Sequence, residues 1–425
     1  MNRIFLFITF FTFLLLSALQ HTNAQQRVLI PMDGSQANHL KAYGIIFNHI
    51  DQGETGIWLL NYRGGSFLTQ NSNQIVQKSR IRNVTIELIS EEQAASIIEQ
   101  VERPNVNMSA INLEKSPKIA VYTPPDALPW DDAVTLALNY AEIPYNKIYD
   151  TEVLSGALDE YDWLHLHHED FTGQYGKFWS IYRNAPWYIA NVRKKEQLAA
   201  ELGYEKVSQQ KLDVVLRIRD FVTNGGFMFA MCSATDTFDL ALAAQGLDAI
   251  PEPFDGDPTD PGINERLNYD QTFAFKNFEL ITDPYVYEHS DIDINVDLNR
   301  ISESLDYFTL FDFSAKWDPV PSMLTQNHVS SIPGFYGQAT AFRKNKIKSS
   351  VVVLAESPGR NQVKYIHGNI GQGTFTFYAG HDPEDYTHRV GDPPTDLALH
   401  TNSPGYRLIL NNVLFPAAEK KKKQT

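Results

Sequence analysis

The only cysteine of the chain, Cys232, lies in "GGFMFAMCSATDTFD" (225–239), between an apolar run and the start of a helical pattern. A thiolate is a nucleophile, whereas a buried thiol is a small apolar filler, and the surroundings decide between them. Ala230 and Ala234 stand two places to either side. A strand-to-helix elbow needs such small neighbours, because its tight turn brings backbone and side chains together. The helix that follows turns its first amides toward the sulfur and favours thiolate, with Asp236 opposing from the first turn. A base must come from elsewhere in the chain. His381, in "YAGHDPEDY" after a later apolar strand, is the candidate, with Gly380 leaving room beside it. Glu384 is the first candidate to orient its ring, and Asp382 or Asp385 could take that place. Cys232, His381 and Glu384 are therefore the expected catalytic set for attack on a carbonyl carbon; the alternative is an inert thiol above turn-forming acids.

A second dense group is "LHLHHED" (164–170). On a strand, His165 and His167 share one face and His168 takes the other. Two imidazoles at that spacing, with Glu169 and Asp170 beyond, suit either a divalent ion or a hydrogen-bonded polar pocket. No distant third ligand is identifiable, so the pocket is preferred. His165, His167, His168, Glu169, Asp382 and Asp385 are thus expected to contact substrate, with no metal and no cofactor. Asp255, Asp257 and Asp260 in "DGDPTDP" have a calcium-like spacing but lack the downstream glutamate of an EF-hand loop, which favours turn chemistry. Trp130, Tyr175, Trp179 and Trp187 either line a sugar or peptide pocket or belong to the core.

The elements that must position these residues read as α/β. Residues 27–32, 56–62 and the "VTIELIS" run are strand-like and alternate with helical patterns, as in a mainly parallel layer. Ser90 with Gln93 is a capping box opening a helix. The polar stretch 102–117 has no sustained period and reads as a linker. The pattern restarts at "KIAVYTP" (118–124) and runs through "YDWLHLHHEDF", "FMFAMC" and the intervening helices in the order of a doubly wound parallel sheet, which places Cys232 at the strand ends where such sheets bind ligands. From about 247 turn formers and short alternating runs dominate, the texture of a β-rich insertion or lid; core strands return at 350. The expected division is a signal peptide (1–24), an N-terminal α/β segment (25–115), a core in two parts (116–246 and 350–416) around the insertion (247–349), and a basic tail (417–425).

A strand-Cys-helix elbow followed by a late strand ending in His, then Pro-Glu, resembles the class I glutamine amidotransferase-like superfamily, and "GQGTFTFYAGH" resembles the close of its trehalose-utilisation-like branch. The resemblance implies a flavodoxin-like sheet and a Cys-His-Glu site. The usual His-Pro-Glu is here His381-Asp382-Pro383-Glu384, one residue longer. Over the whole chain, "MDGSQANHLKAYG", "WLLNYRGGSF", "PWDDAVTLAL", "WLHLHHEDFTGQYGKF" and "HDPEDYTHRVGDPPTDLALH" resemble an exported bacterial family often labelled asparagine synthetase B. That reaction needs a cysteine at the mature N-terminus and a Ser-Gly-Gly-x-Asp-Ser phosphate loop, and the sequence contains neither. The implied activity is instead that of a Cys-His amidase or hydrolase; a non-catalytic module binding a sugar, metal or protein is the alternative.

The compartment follows from the first residues. Arg3, an apolar stretch from Ile4 to Leu16 and small residues ending at Ala24 have the form of a secretory signal peptide cleaved after Ala24, too short to span a bilayer. The expected location is the periplasm or the exterior, and a lone cysteine leaves no internal disulfide to hold the fold there. The chain carries a net charge of −15. An acidic chain repels phosphate backbones, which argues against nucleic acid as a partner. A small molecule, saccharide or peptide is the expected ligand; oligomeric state is not encoded in any pattern of the sequence.

Overall fold

The structure, a computed structural model, describes residues 26–125, 132–166, 168–294, 302–318, 329–389 and 391–419. The expected signal peptide, Trp130, His167 and the lysine run 420–423 lie outside the described residues.

The N-terminal unit comprises β1 (Gln26–Ile30), α1 (His39–Asp51), β2 (Gly56–Leu60), β3 (Ser66–Gln70), α2 (Asn73–Ile81), β4 (Glu87–Ser90), α3 (Glu91–Glu102) and β5 (Ser109–Leu113). Its strands take the order β4-β1-β3-β2-β5, and every pairing is antiparallel, which corrects the expected mainly parallel layer. Alternation of strands and helices does not fix strand direction. β2 and β3 are joined by a short turn that reverses the chain, where a parallel pair needs a long crossover. The stretch read as a linker contains β5, whose Ser109, Ile111 and Leu113 are buried on one face. The Ser90–Gln93 capping box opens α3 as the sequence predicts. Val28 and Ile30 face a core shared with α1, while Leu29 faces a smaller one against α3, the period of two expected of a strand covered on both sides.

The larger sheet comprises β6 (Ile119–Tyr122), β7 (Asn146–Ile148), β8 (Trp163–Leu166), β9 (Phe227–Met231), β10 (Tyr307–Leu310), β11 (Ser331–Pro333), β12 (Phe342–Arg343), β13 (Val352–Glu356), β14 (Gln362–Ile370) and β15 (Gly373–Tyr378). The order is β11-β10-β13-β14-β15-β9-β8-β6-β7, with β12 on β14. The run β15-β9-β8-β6-β7 is parallel and the rest antiparallel, so the fold is α/β with a mixed sheet. β6, β8 and β9 are almost continuously apolar because both faces are covered. On one face lie α4 (Ala133–Ala141) and α8 (Pro404–Leu414); on the other, α6 (Val207–Thr223) and α7 (Ala234–Ala243), with α5 (Pro186–Glu201) beside α6. Segment 247–349 has few strands among its described residues. It is mostly irregular where a β-rich insertion or lid was expected, and β10 and β11 extend the large sheet.

The two units share one core through α1, α4 and α8. Gly44 of α1 crosses α4 so closely that a Cβ there would fall 1.7 Å from the Ala141 carbonyl oxygen. No helix of the described residues is long and apolar enough to cross a membrane.

Candidate active site

β9 and β15 run side by side with Met231 opposite Tyr378, so the residues just past their ends arrive together. That register brings Cys232 to His381, nearly 150 positions away in the chain. Cys232 has φ 52°, in the left-handed region. An L-residue held there costs about 1–2 kcal/mol, and such strain gathers at functional turns. The positions two places to either side are alanines, so the cysteine makes the sharp turn without the glycines that usually ease it. Its N–H donates to the Gly380 carbonyl at 3.2 Å, tying the elbow to the β15 exit.

The thiol is 6% exposed and hydrogen-bonded to His381. Burial pushes it up, but the His381 hydrogen bond and charge, with N–H groups of Gln338 and Ser233, outweigh burial and bring it below the ordinary thiol value. The Gln338 N–H lies 3.3 Å from Sγ. This donor belongs to a turn, 335–340, that no sequence pattern marked. The turn is stapled to the His381 strand end by His381 N–H to Tyr336 O and Gly380 N–H to Ala339 O, both at 2.7 Å. Two glycines permit the approach: a Cβ on Gly337 would lie 2.7 Å from His381 N, and one on Gly380 2.4 Å from the Phe335 ring. Buried Lys364 donates to Phe335 O at 2.7 Å and Thr340 O at 2.6 Å, clamping both ends of the turn, and burial brings its ammonium down to about 7.

The acids following His381 turn elsewhere. Glu384 pairs with His400 at 2.9 Å. Asp382 accepts from the Tyr406 and Thr395 hydroxyls, each at 2.8 Å, and Asp385 pairs with His388 at 2.8 Å. The expected orienting role of Glu384 is therefore corrected: the extra residue in this loop points its carboxylate at a different imidazole, and neither aspartate takes its place. Besides Cys232, two imidazoles lie against the His381 ring. His388 stacks on it at 4.6 Å and 27°, and the His168 ring lies 5.1 Å away. His388 was missed in the sequence, although its i, i+3 spacing from Asp385 was legible.

Of the "LHLHHED" group, only His168 reaches this place among the described residues. His165 is fully buried, bonded to Phe229 O at 3.0 Å and to Asp132, the N-cap of α4, at 3.1 Å. It joins sheet to helix and does not face a ligand. Glu169 is buried against Lys195 at 3.0 Å, the Tyr149 hydroxyl and, more distantly, Lys211. Lys211 in turn bonds Asp150, Tyr122 and Tyr149, a closed buried network. Asp170 accepts from the N–H groups of Thr172 and Gly176. Despite burial, its nearness to His289 and these bonds hold its carboxyl well below the usual range. Gly176 O then receives the Gln338 side chain at 2.7 Å, so Asp170 braces the turn beside the thiol without touching it.

Asp255 and Asp257, with Asp248, surround Lys206 Nζ at 3.0, 2.5 and 2.7 Å, and Asp260 pairs with Arg266. An internal ammonium thus fills the centre of the calcium-like motif. Tyr175 is buried; Trp187 packs on Phe178, which meets Tyr287 at 5.9 Å, while Trp179 meets Tyr285.

A buried but acidified thiol, an imidazole on it, and two converging N–H donors can carry nucleophilic attack on a carbonyl and steady the oxyanion it forms. No protein-family model matches the chain, and no curated protein matches it. Among solved structures it is similar to Cytoplasmic Protein STM3548 from Salmonella typhimurium (11% identity, TM-score 0.34, covering 71% of this chain and 100% of that one). It is also similar to Cytoplasmic Protein STM1381 from Salmonella typhimurium LT2 (13%, 0.34, 71% and 100%) and to the GH42 β-galactosidase Gan42B from G. stearothermophilus (11%, 0.28, 63% and 28%).

Proposed function

We propose that the chain is an exported, class I glutamine amidotransferase-like hydrolase that cleaves an amide with a Cys232–His381 dyad. The observation that carries this reading is the thiol on a left-handed turn, hydrogen-bonded to His381 and acidified by it. The flavodoxin-like assignment draws support from the parallel run β7-β6-β8-β9-β15, which in chain order reads 2-1-3-4-5. Export rests on the form of residues 1–24.

In the first half-reaction Cys232 Sγ bonds to the carbonyl carbon and the π pair moves to oxygen, where the Gln338 and Ser233 N–H groups donate. His381, holding the thiol proton, passes it to the amide nitrogen as the C–N bond breaks, leaving a thioester. Water then attacks that carbon, His381 takes its proton, and collapse of the second tetrahedral centre expels the thiolate and frees the acid. No nucleotide is consumed, in keeping with the missing phosphate loop.

The test is intact-mass analysis of the native protein after iodoacetamide at neutral pH, with an amide library assayed on wild type and Cys232→Ala. Single labelling at Cys232 and turnover lost in the variant are expected. A thiol that reacts only after denaturation would overturn the proposal. One observation favours a second reading, a non-catalytic binding module: all three acids after His381 are engaged elsewhere. Saccharides that stabilise wild type and Cys232→Ala equally, with no amide turned over, would establish it.

A further inference from the structure

Away from the thiol, the start of α6, the last turns of α7 and the segments around 171–174, 247–250 and 280–289 line a half-open cavity of ≈ 340 Å³. That size lies at the low end of small-ligand pockets. Neither Cys232 nor His381 lines it. Phe171, Leu240 and Ile281 give it an apolar wall, and Gln174 and His289 bring the polar chemistry. Both are more than nine-tenths buried. Gln174 donates its Nε2 to Thr172 Oγ1 at 3.0 Å, while its Oε1 has no hydrogen-bond partner. His289 holds Nε2 3.4 Å from Asp170 Oδ2, and its Nδ1 has no hydrogen-bond partner. The ring thus pairs with the Asp170 carboxylate, and the Gln174 oxygen is the acceptor that the cavity leaves open. A buried acceptor left unsatisfied costs about 1–3 kcal/mol. The unsatisfied Gln174 oxygen on the cavity wall calls for a ligand that donates.

The charge points the same way. Lys206, the cation of the wall, is committed to Asp248, Asp255 and Asp257, so this corner carries more negative charge than positive. An anion meets acceptors and carboxylates here; a cation whose head only donates meets complementary groups. We propose that this cavity binds a small organic cation, an amine or amidine on a short apolar body, with its head toward the Gln174 oxygen and the acidic corner at Asp248 and its body against Phe171, Leu240 and Ile281. The site is independent of the thiol chemistry.

Isothermal titration of the full protein with isoamylamine and benzamidine, against isoamyl alcohol and isovalerate, tests this. The cations are expected to bind with sub-millimolar Kd and the neutral and anionic probes at least tenfold more weakly. Gln174→Leu should weaken the amine about tenfold. Ala244→Phe, which fills the cavity from α7's end, should abolish binding, and Cys232→Ser should leave it unchanged. Equal affinity for amine and alcohol, binding of none of the probes, or full affinity in both Gln174→Leu and Ala244→Phe would overturn the assignment. Loss of amine binding in Cys232→Ser would overturn its independence from the thiol.

Discussion

Two strand ends of the same sheet carry similar side chains and treat them oppositely. Beyond the ends of β7 and β8, Asp150 and Glu169 are cancelled by Lys195 of α5 and Lys211 of α6 in a buried network. At the ends of β9 and β15, a left-handed cysteine is held under an imidazole, among other imidazoles, by a separate turn. The first arrangement fixes the scaffold, and the second holds an acidified sulfur on a strained turn. Charge density alone is thus a poor guide to a site: this dense cluster of ionisable residues has its charges compensated.

The contrast breaks most visibly at Lys211. Lys211→Met leaves Asp150 without its ammonium partner, and urea denaturation should show a loss of about 3–5 kcal/mol. His381→Ala, at the other end, should cost far less stability, and a comparable loss from both would erase the distinction.

Asp236, next to the elbow, sharpens it through pH. Burial raises its carboxyl to about 6, partly offset by nearby His289 and the Thr237 N–H. A folded-state value above the unfolded one means the native protein binds the proton more tightly, so this stability is present at pH 4 and lost as pH rises through 6. The loss is about 2–3 kcal/mol, and Asp236→Asn should abolish it in denaturation curves taken at pH 4.5 and 7.5. An unchanged difference between those curves would remove the group from the account.

Kinetics read the thiol directly. With His381 removed, burial acts on the sulfur with less opposition, so the alkylation midpoint should move up. The rate at pH 7 should fall about tenfold, equivalent to roughly one pKa unit. Smaller still is the backbone strain: Cys232→Gly should be about 1 kcal/mol more stable than Cys232→Ala, the reverse of the order at ordinary positions. The weakest effect belongs to Glu384→Gln, which should shift the alkylation profile less than about twofold, since its partner is His400 and one hydrogen bond there does not reach the sulfur. A large shift would restore Glu384 to the site.

Legibility in the sequence follows the range of the interaction. β6, β8 and β9 were readable because apolar runs are local, as were the capping box of α3 and the strand-end positions of Cys232 and His381. Strand direction in the N-terminal sheet was not, because pairing is a relation between distant segments. β5 was hidden in a polar stretch, although Ser109, Ile111 and Leu113 alternate as a half-buried strand should. The commitment of Glu169 to Lys195 and Lys211 needs partners 26 and 42 residues on. The Gln338 donor is a backbone N–H, which every residue but proline carries, so its role comes from placement and has no signature.

The last described stretch has a consequence for how the molecule is made. Arg407 donates to the carbonyls of Met32 and Gly64, Asn411 receives the Tyr43 hydroxyl, and the chain beyond α8 pairs Ala418 with Leu113 at the free edge of β5. The amino-terminal sheet therefore waits, with one apolar flank and the edge of β5 uncovered, until residues 404–418 have been made. Deleting residues 404–418 should consequently yield aggregates rather than a trimmed, folded protein, however far they lie in sequence from the amino-terminal sheet that they cover.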